Sequence, residues 1–332
     1  MSAVDGAHTE PVRVFYFTCA DNVADIYRRY LPEGWELTTL TRLDDRDEQL
    51  ARIAEADFVI SVDVNIERDH LEAAQRLKLI LRQGVGVDRI DFDLHRDYDI
   101  PITICPDGTP GTVAEHTIGL MLAVTRRTVD AHNAVVQRGE WPKWEYRDVS
   151  RDLGALTVGF VGFGRIAQET ARRLAAFGCR MCCVRRSAEP SQLAAELGVT
   201  EVATYEEVFA GSDVVSLHLP LTDETRGLVG ADLLRRMPPG GVLINTARGP
   251  IVDEVALREA ILDGHLAGAG LDVIAEEPPA RPDEHPLYGL PNTVITPHFA
   301  AGTVDAQHTK ARFLVENMQR VLDDQEPLHR VL

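Results

Sequence analysis

The stretch "LTVGFVGFGRIAQETARRLAAFGCRMCCV", residues 156 to 184, constrains the fold of this chain more than any other. An apolar run leads into a glycine-rich turn, then an amphipathic helical pattern, then a second apolar run. Within it stands Gly162-x-Gly164-x-x-Ala167. The first glycine permits a tight turn, the second lets backbone approach a pyrophosphate, and the third position needs a small residue where helix meets strand. A helix beginning near Arg165 would aim its first amides at the phosphates. Isolated glycines also mark ordinary turns, but strand, turn, helix and spacing occur here together.

The rest of the chain repeats the alternation. "VRVFYFTC", "WELTTL", "DFVISV" and "LKLILRQG" read as strands, with "ADNVADIYRRYL", "RDEQLARIAEA" and "DHLEAAQRL" as the helices between them. Short β-branched runs alternating with helices predict a parallel sheet with crossover helices. The pattern from Gly111 to Gly139 predicts one long helix, and "EWPKWEYRDVSRDLGAL" an aromatic arm whose Trp141, Trp144 and Tyr146 call for a cover. A second alternating series then runs to "NTVITPH", and "VDAQHTKARFLVENMQRVL" predicts a last helix. Two doubly wound α/β units result, of which the second alone carries the nucleotide signature.

Composition narrows the partners. The 332 residues exceed one ordinary core, and 45% apolar with 26% charged residues describes a globular chain. With 34 basic and 52 acidic residues the net charge is −18, which disfavours nucleic acid and anionic membranes. Cys179-x-x-Cys182 lacks a second pair or a His cluster, so no metal is expected, and Cys182 and Cys183 read as small buried hydrophobes. The polar start "MSAVDGAHTEP" has no leader pattern, and no apolar run approaches the roughly 20 residues that span a bilayer. A cytoplasmic protein is expected.

About 20 residues past such a fingerprint, an acid commonly grips the ribose hydroxyls of NAD. Here the position falls on Arg185, followed by Arg186 and Ser187. A carboxylate would repel a 2′-phosphate, whereas arginines bind one with charge-assisted bonds. NADP(H) is therefore favoured, with NAD(H) as the alternative if these are solvated arginines at a strand end.

"INTARGPIVDE", "GLDVIAEEPP" and "VITPHFAAG" each join a strand end to a loop, where doubly wound sheets place ligands. They supply a cation, an acid and an imidazole: Arg248, Glu277 and His298. With "GVGVDRID", "GTVAEHTIGLML", "GFGRIA" and "HLPLTDETRGL" in the same order, nearly the whole chain resembles the D-isomer-specific 2-hydroxyacid dehydrogenases. The resemblance implies that Arg248 binds the substrate carboxylate and polarises its carbonyl, that His298 donates the proton, and that Glu277 holds His298 protonated. Glu276 is one residue off and reads as a bystander. A carboxylate beside an imidazole favours its charged form and fixes its orientation.

The resemblance also implies a substrate domain over 1–105 completed by 300–332, a dinucleotide-binding domain over 106–299, and a cleft between these Rossmann/flavodoxin-like units. The amides of Val85 and Gly86 would hold the substrate carboxylate. Thr112 would lie near the nicotinamide and Thr246 beside the cofactor. Arg165 and Ile166 would cap the pyrophosphate, and Pro220 and Thr225 border the adenosine. Asp272 would bond the carboxamide or hold the catalytic loop, unless it is only a strand-end turn residue. His116 reads as packing, and His218 as lining the cleft. Asp63 and Asn65 stand in the loop where phosphoglycerate dehydrogenases carry an arginine, and Asp63 would disfavour a phosphorylated substrate; no regulatory domain is expected after Leu332. The expected function is an NADP(H)-preferring reductase of a small 2-keto acid such as glyoxylate or hydroxypyruvate, acting as a homodimer. The alternatives are an NAD-dependent dehydrogenase of a larger or phosphorylated 2-hydroxy acid, and a dinucleotide-sensing corepressor-like protein.

Overall fold

The computed structural model describes residues 10–62, 64–187 and 189–332. Asp63, singled out by sequence, lies outside them. The chain divides into two compact units, one formed by the chain up to Gly108 with Val304–Leu332, the other by Thr109–Thr303.

In the first unit five strands, β1 (Val12–Tyr16), β2 (Trp35–Thr38), β3 (Phe58–Ser61), β4 (Leu79–Arg82) and β5 (Ile102–Ile104), pair in the order β2-β1-β3-β4-β5, all parallel. Strand side chains alternate between faces. Val14, Tyr16, Phe58, Ile60, Leu79 and Leu81 therefore enter one core, and Phe15, Val59 and Ile80 the opposite one. The first core is closed by the C-terminal helix Val304–Leu322, through Ala311, Leu314 and Met318. After that helix the last residues return to the sheet edge, where Val331 donates to the Ile102 carbonyl and Ile104 to that of His329. The open edge of β5 is thereby covered.

The second unit holds seven strands: β6 (Thr157–Val161), β7 (Arg180–Val184), β8 (Val199–Glu201), β9 (Val214–Leu217), β10 (Gly241–Asn245), β11 (Leu266–Leu271) and β12 (Thr293–Ile295). Their order is β12-β11-β10-β9-β6-β7-β8, again all parallel. This is the dinucleotide-binding order with one strand added, and its switch point lies between β6 and β9. Phe160, Val214 and Ile244 pack on the face covered by Met121 and Val124, while Val161, Val215 and Leu243 pack on the other.

The single helix expected over 111–139 is two, Pro110–Thr125 and Thr128–Arg138, broken at Arg127, whose φ is +54°. Remote groups take the carbonyls that a continuing helix would use. Asn292 donates to Val124, the Arg151 amide to Thr125, and the Ser150 hydroxyl to Arg126. The arm beyond contains a short helix, Glu145–Val149, and a 3-10 turn, Leu153–Ala155, and its tryptophans are uncovered, Trp141 being 79% exposed. Among the described residues no helix is long and apolar enough to cross a membrane.

Candidate active site

The fingerprint turn leaves β6 at Gly162, whose φ is +90° and where a Cβ would meet the His218 carbonyl at 2.6 Å. Only glycine fits both constraints. Gly164 precedes the helix Arg165–Leu174 without a side-chain cap, and a Cβ on it would point into open space. Ala167 is fully buried. An approachable turn ahead of a helix N-terminus suits a dinucleotide pyrophosphate, so these residues fit the implied cofactor. Arg165 and Ile166 form the first turn of that helix, and Thr112 the first turn of the helix Pro110–Thr125.

At the end of β7, Arg186 and Ser187 are exposed, but Arg185 is not a free surface cation. Its Nε lies 3.1 Å from Glu201 Oε2 on β8, an ion pair in which the N–H is not aligned for a hydrogen bond, and its Nη2 donates to the Glu189 carbonyl. Pro220 accepts from the Thr225 hydroxyl at 2.8 Å, closing the turn that follows β9. His218 bonds Ser216 at 2.9 Å. Burial pushes it down to about 3, which favours the neutral ring.

The three chemical side chains of the second unit come from the ends of β10, β11 and β12. Asn245, at the end of β10, shapes the first loop, accepting from the Ala247 amide at 3.0 Å and donating to the Arg248 carbonyl at 2.9 Å. Thr246 bonds Thr117 at 3.0 Å, tying the loop to the helix Pro110–Thr125. Arg248 Nη1 donates to the Ala247 carbonyl at 2.7 Å. Gly249 has no room for a side chain, since a Cβ would lie 1.9 Å from the Ile274 carbonyl.

After β11, Glu277 Oε1 accepts from the Ile274 amide at 3.0 Å, and Oε2 lies 2.7 Å from His298 Nδ1. Glu276, next to it, is exposed. Nδ1 is thereby committed to the carboxylate. The hydrogen bond and charge of Glu277 hold His298 above the usual imidazole range, against burial and the Arg248 guanidinium. The backbone of His298 has φ +49°, a left-handed conformation that costs about 1–3 kcal/mol in a non-glycine residue.

Asp272 offsets that strain. Its carbonyl accepts from the His298 amide at 2.8 Å, Oδ1 from Phe299 at 3.1 Å, and Oδ2 from Ala300 at 2.9 Å. At 1% exposure, the carboxylate is occupied in holding the loop. His116 does more than the packing assigned to it from sequence, because Nε2 lies 3.0 Å from Thr296 Oγ1 and 3.4 Å from Asp272 Oδ1. Asn245 and Thr296 carried no role in the sequence reading, although each lies within two residues of an assigned one, Thr246 and His298.

In the first unit, Val85 and Gly86 follow β4, and Val85 is exposed. Beneath them Gln83 Nε2 donates to the Tyr16 hydroxyl at 2.8 Å and to Gln307 Oε1 at 2.7 Å. Among the described residues one group has metal-ligand spacing, Glu67, Asp69 and His70. The Arg46 guanidinium bonds all three, so a cation already sits among them.

Residues 118–300 match the family described as "D-isomer specific 2-hydroxyacid dehydrogenase, NAD binding domain". The chain is 36% identical over 295 residues to the D-3-phosphoglycerate dehydrogenase of Methanocaldococcus jannaschii, covering 89% of this chain and 55% of that one. It thus spans about half the length of that relative. It is 37% identical over 287 residues to the glyoxylate reductase of Thermofilum pendens, covering 85% of this chain and 83% of that one. Among solved structures, the TT0316 protein of Thermus thermophilus superposes with a TM-score of 0.83 at 36% identity, over 97% of this chain and all of that one. With strand order, fingerprint turn and an Arg–Glu–His set at adjacent strand ends, the chain belongs to the D-isomer-specific 2-hydroxyacid dehydrogenase family.

Proposed function

We propose that the chain reduces a small 2-keto acid, of the glyoxylate or hydroxypyruvate class, to the D-2-hydroxy acid, with NADP(H) preferred. The observation that carries the reading is the 2.7 Å contact between Glu277 and His298, which orients Nε2 and favours the imidazolium. A reduced nicotinamide, held at the turn from Gly162 to Ala167, would supply the hydride. Arg248 holds the substrate carboxylate and draws electron density toward the carbonyl oxygen. The Nε2 proton of His298 passes to the carbonyl oxygen as charge develops there, leaving the hydroxyl of the product and a neutral imidazole. On the family resemblance, we assign the Val85 and Gly86 amides to the substrate carboxylate. A panel of 2-keto acids assayed with NADPH and with NADH tests the reading, and failure to reduce any of them would overturn it.

Cofactor preference rests on Arg185, Arg186 and Ser187. The Arg185–Glu201 ion pair favours a second reading, in which Arg185 is structural and NAD(H) serves. Replacing both arginines, Arg185→Asp with Arg186→Gly, is expected to lower the NADPH-to-NADH ratio of kcat/KM by about tenfold or more, the scale of one charge-assisted contact. An unchanged ratio would leave the 2′-phosphate without a protein partner here.

We also propose that a second copy of the chain covers the aromatic arm. Val136, Trp141 and Trp144 are each about two-thirds or more exposed, and Pro142 and Tyr146 line a hollow beside Trp141. Contiguous exposed apolar surface of this kind marks an interface. The variant Val136→Asp with Trp141→Asp should run as a monomer in light scattering where the parent runs as a dimer. A monomeric parent refutes the idea.

A further inference from the structure

We infer that His116 is a positioning residue for the reaction: through Thr296 it fixes the carboxylate of Asp272, and with it the turn that presents His298. The inference rests on reading His298 as the proton donor.

Proton counting sets the direction of the chain. The Thr296 hydroxyl donates to Asp272 Oδ1 at 2.6 Å. A hydroxyl has one hydrogen, so toward His116 Nε2, 3.0 Å away, it can only accept. Nε2 therefore carries the hydrogen, and the relay reads His116 N–H to Thr296 O–H to Asp272 carboxylate. The same carboxylate takes the amides of Phe299 and Ala300, the two residues after His298. Burial alone would raise the Asp272 carboxyl. The donors His116, Thr296 and Ala300 outweigh it and hold the group below the usual carboxylate range. The His116 ring also meets the Phe299 ring edge-on, with centroids 4.9 Å apart.

Two independent grips thus hold a backbone that is left-handed at His298. One is the Glu277 contact to the imidazole, which sets its charge. The other runs from His116 to the turn on both sides of residue 298, and sets where the imidazole stands. A residue in a sparsely populated conformation keeps it only where its surroundings over-determine it. Without His116, the Thr296 oxygen loses its donor and Asp272 Oδ1 loses the ring N–H beside it, so the loop loses one of its fixed points. Misplacement of a reacting group by about 1 Å costs on the order of 100-fold in rate.

The test compares His116→Phe, which keeps a ring against Phe299 but has no donor, with His116→Gln, whose amide N–H can reach Thr296. Both are assayed in the full chain with saturating reduced cofactor. His116→Phe is expected to lose about 10- to 100-fold in kcat with keto-acid KM and cofactor Kd nearly unchanged, and His116→Gln to recover most of it. Thr296→Val removes the same link from the other side and should match His116→Phe, which covers the case of a variant that fails to fold. A packing role would give the opposite order, with Phe tolerated and Gln not, and would overturn the inference. So would full activity in both Phe and Val variants while His298→Gln is inactive. Activity in His298→Gln itself would instead bring down the functional reading on which the relay depends.

Discussion

Replacing His298 by Gln is expected to lower kcat for keto-acid reduction by about 10³-fold, within the range for loss of a general acid, while cofactor affinity stays near that of the parent. Glutamine keeps the size and a hydrogen bond to Glu277 but holds no transferable proton. The pH profile gives the sign of the chemistry. In the proposed mechanism reduction requires the imidazolium, so its rate is expected to be highest below the His298 pKa and to fall as pH rises through it. Oxidation of the hydroxy acid requires the neutral imidazole and falls as pH drops through the same point. Because Glu277 holds His298 above the usual imidazole range, the limb lies on the alkaline side of a free histidine's. Glu277→Gln removes that support, so the limb should move to lower pH. Steady-state rates from pH 5 to 10 measure it. A limb that stayed in place in Glu277→Gln would mean that another group carries the proton.

Much of the fold could be read in advance because its signals are local. The first strand, buried on both faces, reads as the continuous apolar run Val14, Phe15 and Tyr16, and the fingerprint packs its requirements into six residues, Gly162 to Ala167. Arg248, Glu277 and His298 each sat in a distinct motif at a strand end, where the topology of a doubly wound sheet draws strand ends together. What escaped was set by partners distant in sequence. Neither Gly nor Pro announces the helix break at Arg127, since it is made by donors from Ser150, Arg151 and Asn292. The bond between His116 and Thr296 spans 180 residues, so nothing near His116 marks it as more than one more helical side chain. Arg185 was legible as a cation in the selector position, but its pairing with Glu201 depends on the register of β7 against β8.

Arg248 carries the second large effect, and it couples to the first. Arg248→Ala is expected to lower kcat/KM for the keto acid by on the order of 10³-fold, with cofactor Kd little changed, because in the proposed mechanism one cation serves both the carboxylate and the charge developing on the carbonyl oxygen. Arg248→Lys should recover only a small part, since a point charge cannot reproduce the planar fork on a carboxylate. Added guanidinium should rescue the Ala variant but not the Lys variant, whose ammonium fills the space. The same substitution has a consequence for His298. The guanidinium opposes protonation of that imidazole, as Glu277 favours it. Arg248→Ala should therefore move the pH limb of the residual activity to higher pH, opposite in direction to Glu277→Gln. Opposite displacements by two variants, measured in one buffer series, would identify His298 as the titrating group independently of its own substitution. Displacements of the same sign would mean that the limb belongs elsewhere, and that Arg248 acts on the substrate alone.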